Sequence, residues 1–309
     1  MAVEMLDYSS TAMAFAALSE NDTVPARAFA LLRAERARVS FIVALISILY
    51  GWTLLDMTQA WWTNPNFSQG MLIPPLALYL AWQDRDRTRR LQVQPDLRGL
   101  FLVFGSCLLF LIGRMAAEYF LPRISFVLLV VGLTWTFWGK ARLRSLAFPF
   151  LLLATMVPLP ALLYNAAATP LQLLASDLAT RLAEVCGTTV YQDGNIIHLA
   201  NLSLGVEEAC SGLSSLSALM VASLLLGQVY SCGGATRAII FALSIPIAIA
   251  ANIFRIAFTA VLADHYEELA MGFYHAFSGW LVFLAGYLML YISTRIVYRS
   301  LDGYSRSRA

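Results

Sequence analysis

Charge is scarce in this chain of 309 residues: 13% of it is Asp, Glu, Lys or Arg, against 59% hydrophobic residues. Soluble domains carry about 25% charged residues. A chain this poor in charge cannot cover a water-facing surface, so lipid must replace water over much of it. The 21 basic and 19 acidic residues leave a net charge of +2, which gives no support for a nucleic-acid partner. Cysteine is sparse too. Four cysteines without a CxxC spacing make neither a disulfide framework nor a thiolate metal site. Three dispersed histidines are poor zinc ligands, and neither an HExxH motif nor the G-x-S-x-G elbow of a serine hydrolase is present. No metal or cofactor is therefore expected. No secretory leader is expected either: Glu4, Asp7, Glu20 and Asp22 fall where such a leader is basic and then apolar. No repeat or linker divides the chain. We expect a cytosolic segment 1–38, one membrane domain 39–298 and a cytosolic tail 299–309.

What is present is long apolar runs. A spanning helix needs about 20 mostly apolar residues, and the candidates are 39–57, 67–83, 99–114, 119–138, 145–164, 211–230, 238–262 and 273–294. The fold class expected is an all-α polytopic membrane protein of about eight transmembrane helices. Basic residues favour the cytosolic side. An N-terminus in the cytosol puts 17 of the 21 basic residues inside and leaves only Arg114, Arg123 and Arg181 outside, with Arg255 within a span. The same topology sends Glu118, Asp177, Glu184, Glu207, Glu208 and Asp264 outside. The longest outer segment, 165–208, reads as a small platform. Leu171, Leu174, Leu178 and Leu182 predict an amphipathic helix on the outer leaflet, and 188–191 and 196–199 flank Asp193-Gly194 as a β-hairpin.

Three reactive residues then fall at one depth. Cys210 opens the sixth span, His275 opens the eighth, and Arg255 lies about 10 Å below the outer end of the seventh at 1.5 Å per residue. Together they fit thiol-based acyl transfer. A helix start lowers a thiol pKa, although Glu207 and Glu208 oppose that. Neutral imidazole takes the thiol proton and returns it to a leaving amine, and a guanidinium holds the developing oxyanion. Each residue also has a plainer reading. Buried cysteines are mostly inert, an interfacial histidine is mostly a wet surface group, and Arg255 would serve as the ion-pair partner of Glu207 or Glu208. A charged residue inside a span is nonetheless a functional candidate by default. Cys107 lies mid-span and Cys232 faces the cytosol, so both read as packing. Cys186 lies outside, where a bond to Cys210 would remove the nucleophile. Ser214 and Ser217 follow Cys210 at four and seven residues, the pattern of small residues packing between helices.

These motifs resemble the exosortase/archaeosortase family. Glu208-Ala209-Cys210-Ser211-Gly212 is similar to its cysteine motif, Asn252-Ile253-Phe254-Arg255 to its N-x-x-R motif, and His275 through Gly279 with Trp280 to its histidine motif. The similarity extends through the hairpin to Pro158 and Pro160, over roughly residues 40–297. One early motif departs: Phe67-Ser68-Gln69-Gly70 carries Gln69 where many relatives have histidine. The resemblance implies a membrane cysteine transpeptidase or peptidase of the inner membrane, tied to exopolysaccharide-producing bacteria. Its partners would be secreted proteins with a C-terminal sorting signal of the PEP-CTERM kind, together with membrane lipid. Cys210, Arg255 and His275 would be catalytic, and Glu207, Glu208, Asn252 and Ser214 would meet substrate. The alternative is a transporter or export scaffold that binds an anionic solute or lipid through Arg255.

Overall fold

The computed structural model describes residues 23–200, 202–205, 212–266 and 273–303, with side chains from 40 onward except those of 273–278 and 302–303. The order of elements is α1 (Thr23–Thr63), a 3-10 helix (Pro65–Met71), α2 (Ile73–Gln83), α3 (Arg85–Arg90), α4 (Gly99–Met115), α5 (Phe120–Ser145), α6 (Ala147–Ala154), α7 (Ala161–Val185), β1 (Val190–Asp193), β2 (Ile196–Leu199), β3 (Ser203–Gly205), α8 (Leu213–Val229), α9 (Gly234–His265), α10 (Phe273–Tyr298) and a π-helical turn (Arg299–Gly303). The chain divides into two units, residues 1–56 and 57–309. The first holds most of α1, whose Phe41, Ile48 and Trp52 are exposed. The candidate site lies in the second.

Four helices are long and apolar enough to cross a membrane: Ser40–Thr63 within α1, Phe120–Ser145, Gly234–His265 and Gly279–Leu301. Helices α4 and α8, at 17 residues each, stand at the lower limit of a spanning helix. Large apolar side chains such as Phe101, Met115, Leu162 and Trp280 point out of the fold. That is costly in water and ordinary in lipid. Helix length does not reach the eight spans expected. The run 67–83 is a 3-10 turn followed by an 11-residue helix, because Pro74 and Pro75 fix the start of α2. The run 145–164 also breaks. Its 8-residue α6 stops at Ala154, and Pro158 and Pro160 hold the chain extended until α7 begins. At 1.5 Å per residue, α2 and α6 are roughly 16 and 12 Å long, against about 30 Å of hydrocarbon. The two short helices pack on each other.

The platform begins earlier than expected, since α7 runs unbroken from Ala161 through Pro170 to Val185. Its inward face is small, with Ala168, Ala175, Ala179 and Ala183 nearly fully buried, while Leu174, Leu178 and Leu182 are exposed. These three thus face away from the protein, whereas Leu171, the first of the expected stripe, is half-buried against Tyr164, Ala168 and Leu213. The hairpin forms with the register Val190↔Leu199 to Asp193↔Ile196; its first strand, Val190–Asp193, lies two residues later than the expected 188–191, so Gly194-Asn195 makes the turn. A third strand, absent from the sequence expectations, pairs Ser203–Gly205 with β2. The sheet order is β1-β2-β3. One sheet face is apolar: Ile197 packs with Ala175 and Ala179 of α7 and with Ile256 and Ala257 of α9, and Val190 and Leu204 join it. The sheet is seated on the turn of α9 that carries Arg255.

Candidate active site

Asn252 and Arg255 are three residues apart on α9, hence neighbours on one helical face. Each meets a glycine from another helix. Gly212 precedes α8 with φ +81°, a left-handed backbone that glycine adopts without penalty. It lies so close to Asn252 that an added Cβ would stand 2.8 Å from that residue's Cγ and Nδ2. Gly279 of α10 lies against Arg255, where an added Cβ would stand 3.1 Å from Cζ and Nη2. The starts of α8 and α10 therefore converge on one patch of α9. The cysteine motif, the N-x-x-R motif and the histidine motif each contribute a described residue to that patch.

The site residues expected from sequence fall as follows. Cys210, Glu207 and Glu208 lie outside the described residues; Cys210 is two residues before Gly212. His275 is the third residue of α10, one helical turn before Gly279, and its side chain is outside the description. Asn252 is buried, at 3% exposure. Arg255 is half-buried, its Nε has no hydrogen-bond partner, and no carboxylate pairs with it among the described residues. Its backbone carbonyl accepts from the Thr259 hydroxyl at 2.9 Å. Ser214 sits in the first turn of α8, where its carbonyl accepts from Ser217 Oγ at 2.9 Å. Cys186 is an exposed free thiol and Cys232 a buried one.

Two features had no place in the expectations. Gln69 Nε2 donates to Ser217 Oγ at 2.6 Å, joining the 3-10 helix to α8, so Ser217 serves a polar tie as well as helix packing. Beside that bond lies an apolar cavity of about 740 Å³. Leu213, Leu216, Met220 and Leu224 line one side of it along a single face of α8. Pro158 and Tyr164 close another side, and Arg237 stands at the far end of α8. Trp61 braces the region by donating from Nε1 to the Met156 carbonyl at 3.1 Å. The sequence cue for the tie was Gln69 itself, at the position of the early motif where many relatives have histidine.

Apolar helices of spanning length, a small sheet docked on one of them and three converging motif segments define a polytopic membrane protein with its polar groups gathered near helix starts. A family model for transmembrane exosortases matches residues 61–292, about three quarters of the chain. The chain belongs to the transmembrane exosortase family. No curated protein and no solved structure matches it.

Proposed function

We propose that this exosortase is a membrane cysteine transpeptidase or peptidase that processes the C-terminal sorting signals of secreted proteins. The observation that carries the reading is the pair of contacts Gly212–Asn252 and Gly279–Arg255. They set Gly212 and Gly279, two and four residues after Cys210 and His275 in sequence, against the α9 turn that bears Asn252 and Arg255. Two peptide units separate Cys210 from Gly212, a reach of at most about 7.6 Å.

In this reading His275 takes the proton of Cys210, and the thiolate attacks the scissile carbonyl carbon, forming a C–S bond. The carbonyl electron pair becomes an oxyanion beside Arg255, whose guanidinium has no described carboxylate to neutralise it. One such donor typically contributes about 3–4 kcal/mol. Collapse breaks the C–N bond, and the leaving amine takes the proton from His275. The resulting thioester is resolved by an incoming amine or by water, which displaces the thiolate. Asn252, Ser214, Glu207 and Glu208 would border the substrate. Positive-inside counting supports a site on the periplasmic side of the inner membrane, with both termini cytosolic.

The test uses an exported reporter fused to a tripartite tail from the host's own secreted proteins, one that cells with the wild-type chain clear of its tail. Cys210→Ala should leave the reporter tail-bearing and in the membrane. Unchanged processing by that variant, with loss in Arg255→Ala, would instead support anion binding without covalent chemistry. Mass spectrometry of the new C-terminus separates transfer, which appends a group, from hydrolysis, which leaves a free carboxylate.

A further inference from the structure

Among the described residues, strand β3 is an edge of the sheet. Its pairing with β2 follows the register Ile196↔Gly205, Ile197↔Leu204 and His198↔Ser203, and the Leu199 amide donates to the Leu202 carbonyl at 2.8 Å. In an antiparallel ladder, hydrogen-bonded and non-bonded pairs alternate. Leu199 with Leu202 is therefore a bonded pair, and so is Ile197 with Leu204. Ser203 and Gly205 belong to the non-bonded pairs, so their N–H and C=O groups point away from β2. Both residues are exposed, and a Cβ on Gly205 would meet no atom within 4 Å. This is an open row of backbone donors and acceptors, of the kind that takes an extended peptide as an added strand.

Its place in the fold selects the peptide. The sheet is seated through Ile197 on Ile256 and Ala257, next in sequence to Arg255, and β3 ends five residues before Cys210. A peptide bond cleaved between those two groups must arrive as extended chain with its own backbone groups unsatisfied. Near a membrane such groups are costly when left without partners. We propose that the client segment flanking the scissile bond binds by adding a strand to the free edge of β3, paired to Ser203 and Gly205. The proposal rests on the cysteine-enzyme reading above.

Proline removes a backbone N–H, yet an edge strand tolerates it where that N–H faces outward. Ser203→Pro and Gly205→Pro should each slow clearance of the tail-bearing reporter roughly tenfold, as the loss of one or two backbone hydrogen bonds does. Ser203→Ala should process normally. So should Gln192→Pro, because alternation points the Gln192 N–H outward at the opposite edge, on β1. Melting in detergent and alkylation of Cys210 by iodoacetamide should stay at wild-type values. Normal processing by both β3 proline variants at wild-type melting temperature overturns the strand. Normal processing by Cys210→Ala overturns the enzyme reading instead, so the two failures are distinct. If the proline variants melt early, cross-linking decides the matter. With Cys210→Ala holding the uncleaved reporter, Gly205→Cys should form disulfides with every second reporter position flanking the cleavage point. No cross-link, or a uniform one, overturns the proposal.

Discussion

At the scale of single residues, the site depends on two side chains that are missing. Gly279 leaves room for the Arg255 guanidinium, and a larger residue there must displace the far end of that long side chain. Gly279→Val should therefore change melting in detergent little while displacing the guanidinium proposed to hold the oxyanion. Processing of the tail-bearing reporter should fall about 10²–10³-fold, the usual effect of losing one such donor. A fall below threefold would separate Gly279 from the chemistry. Gly212 was legible in the sequence only as a motif letter. Its left-handed backbone and its contact with Asn252 depend on where α8 starts relative to α9, and no local pattern encodes a distance between two helices. Arg255 was the reverse case: one cation in a long apolar run is visible from sequence alone, because a membrane span seldom tolerates a charge that has no role there.

At the scale of elements, hydropathy found the apolar runs and missed their breaks. Runs 67–83 and 145–164 hold no charged residue, but Pro74, Pro75, Pro158 and Pro160 cut them into pieces that hydropathy averages over. The hairpin was legible from its alternation and from Asp193-Gly194. Strand β3 was not, since three residues are too few for a period to show. What seats the sheet is the small-residue face of α7, with Ala179 fully buried under Ile197. Ala179→Leu should overpack that seam at a cost of about 1–3 kcal/mol. Limited proteolysis should then cut within 190–205 sooner than in the wild type, with membrane insertion unchanged. Equal cutting rates would mean that the sheet is held by something other than this seam.

At the scale of the whole molecule, the distribution of basic residues argues for which end of the bundle faces the cytosol. In a chain carrying Cys107→Ser, Cys210→Ala and Cys232→Ser, only Cys186 remains, and it is exposed. A membrane-impermeant maleimide added to cells with a permeabilised outer membrane should label it before the inner membrane is breached. Labelling only after breach would invert the topology and move the site to the cytosolic face. The cavity beside Gln69 has a different consequence, one of timing. Its walls come from residues near 66, 120, 155, 215 and 240, so no early fragment of the chain can enclose it. At about 5–20 residues per second of synthesis, the first wall waits roughly 10–35 s on the ribosome's schedule for the last. Until then its apolar faces on the earlier helices stand uncovered by protein, and the finishing of α9 closes them last.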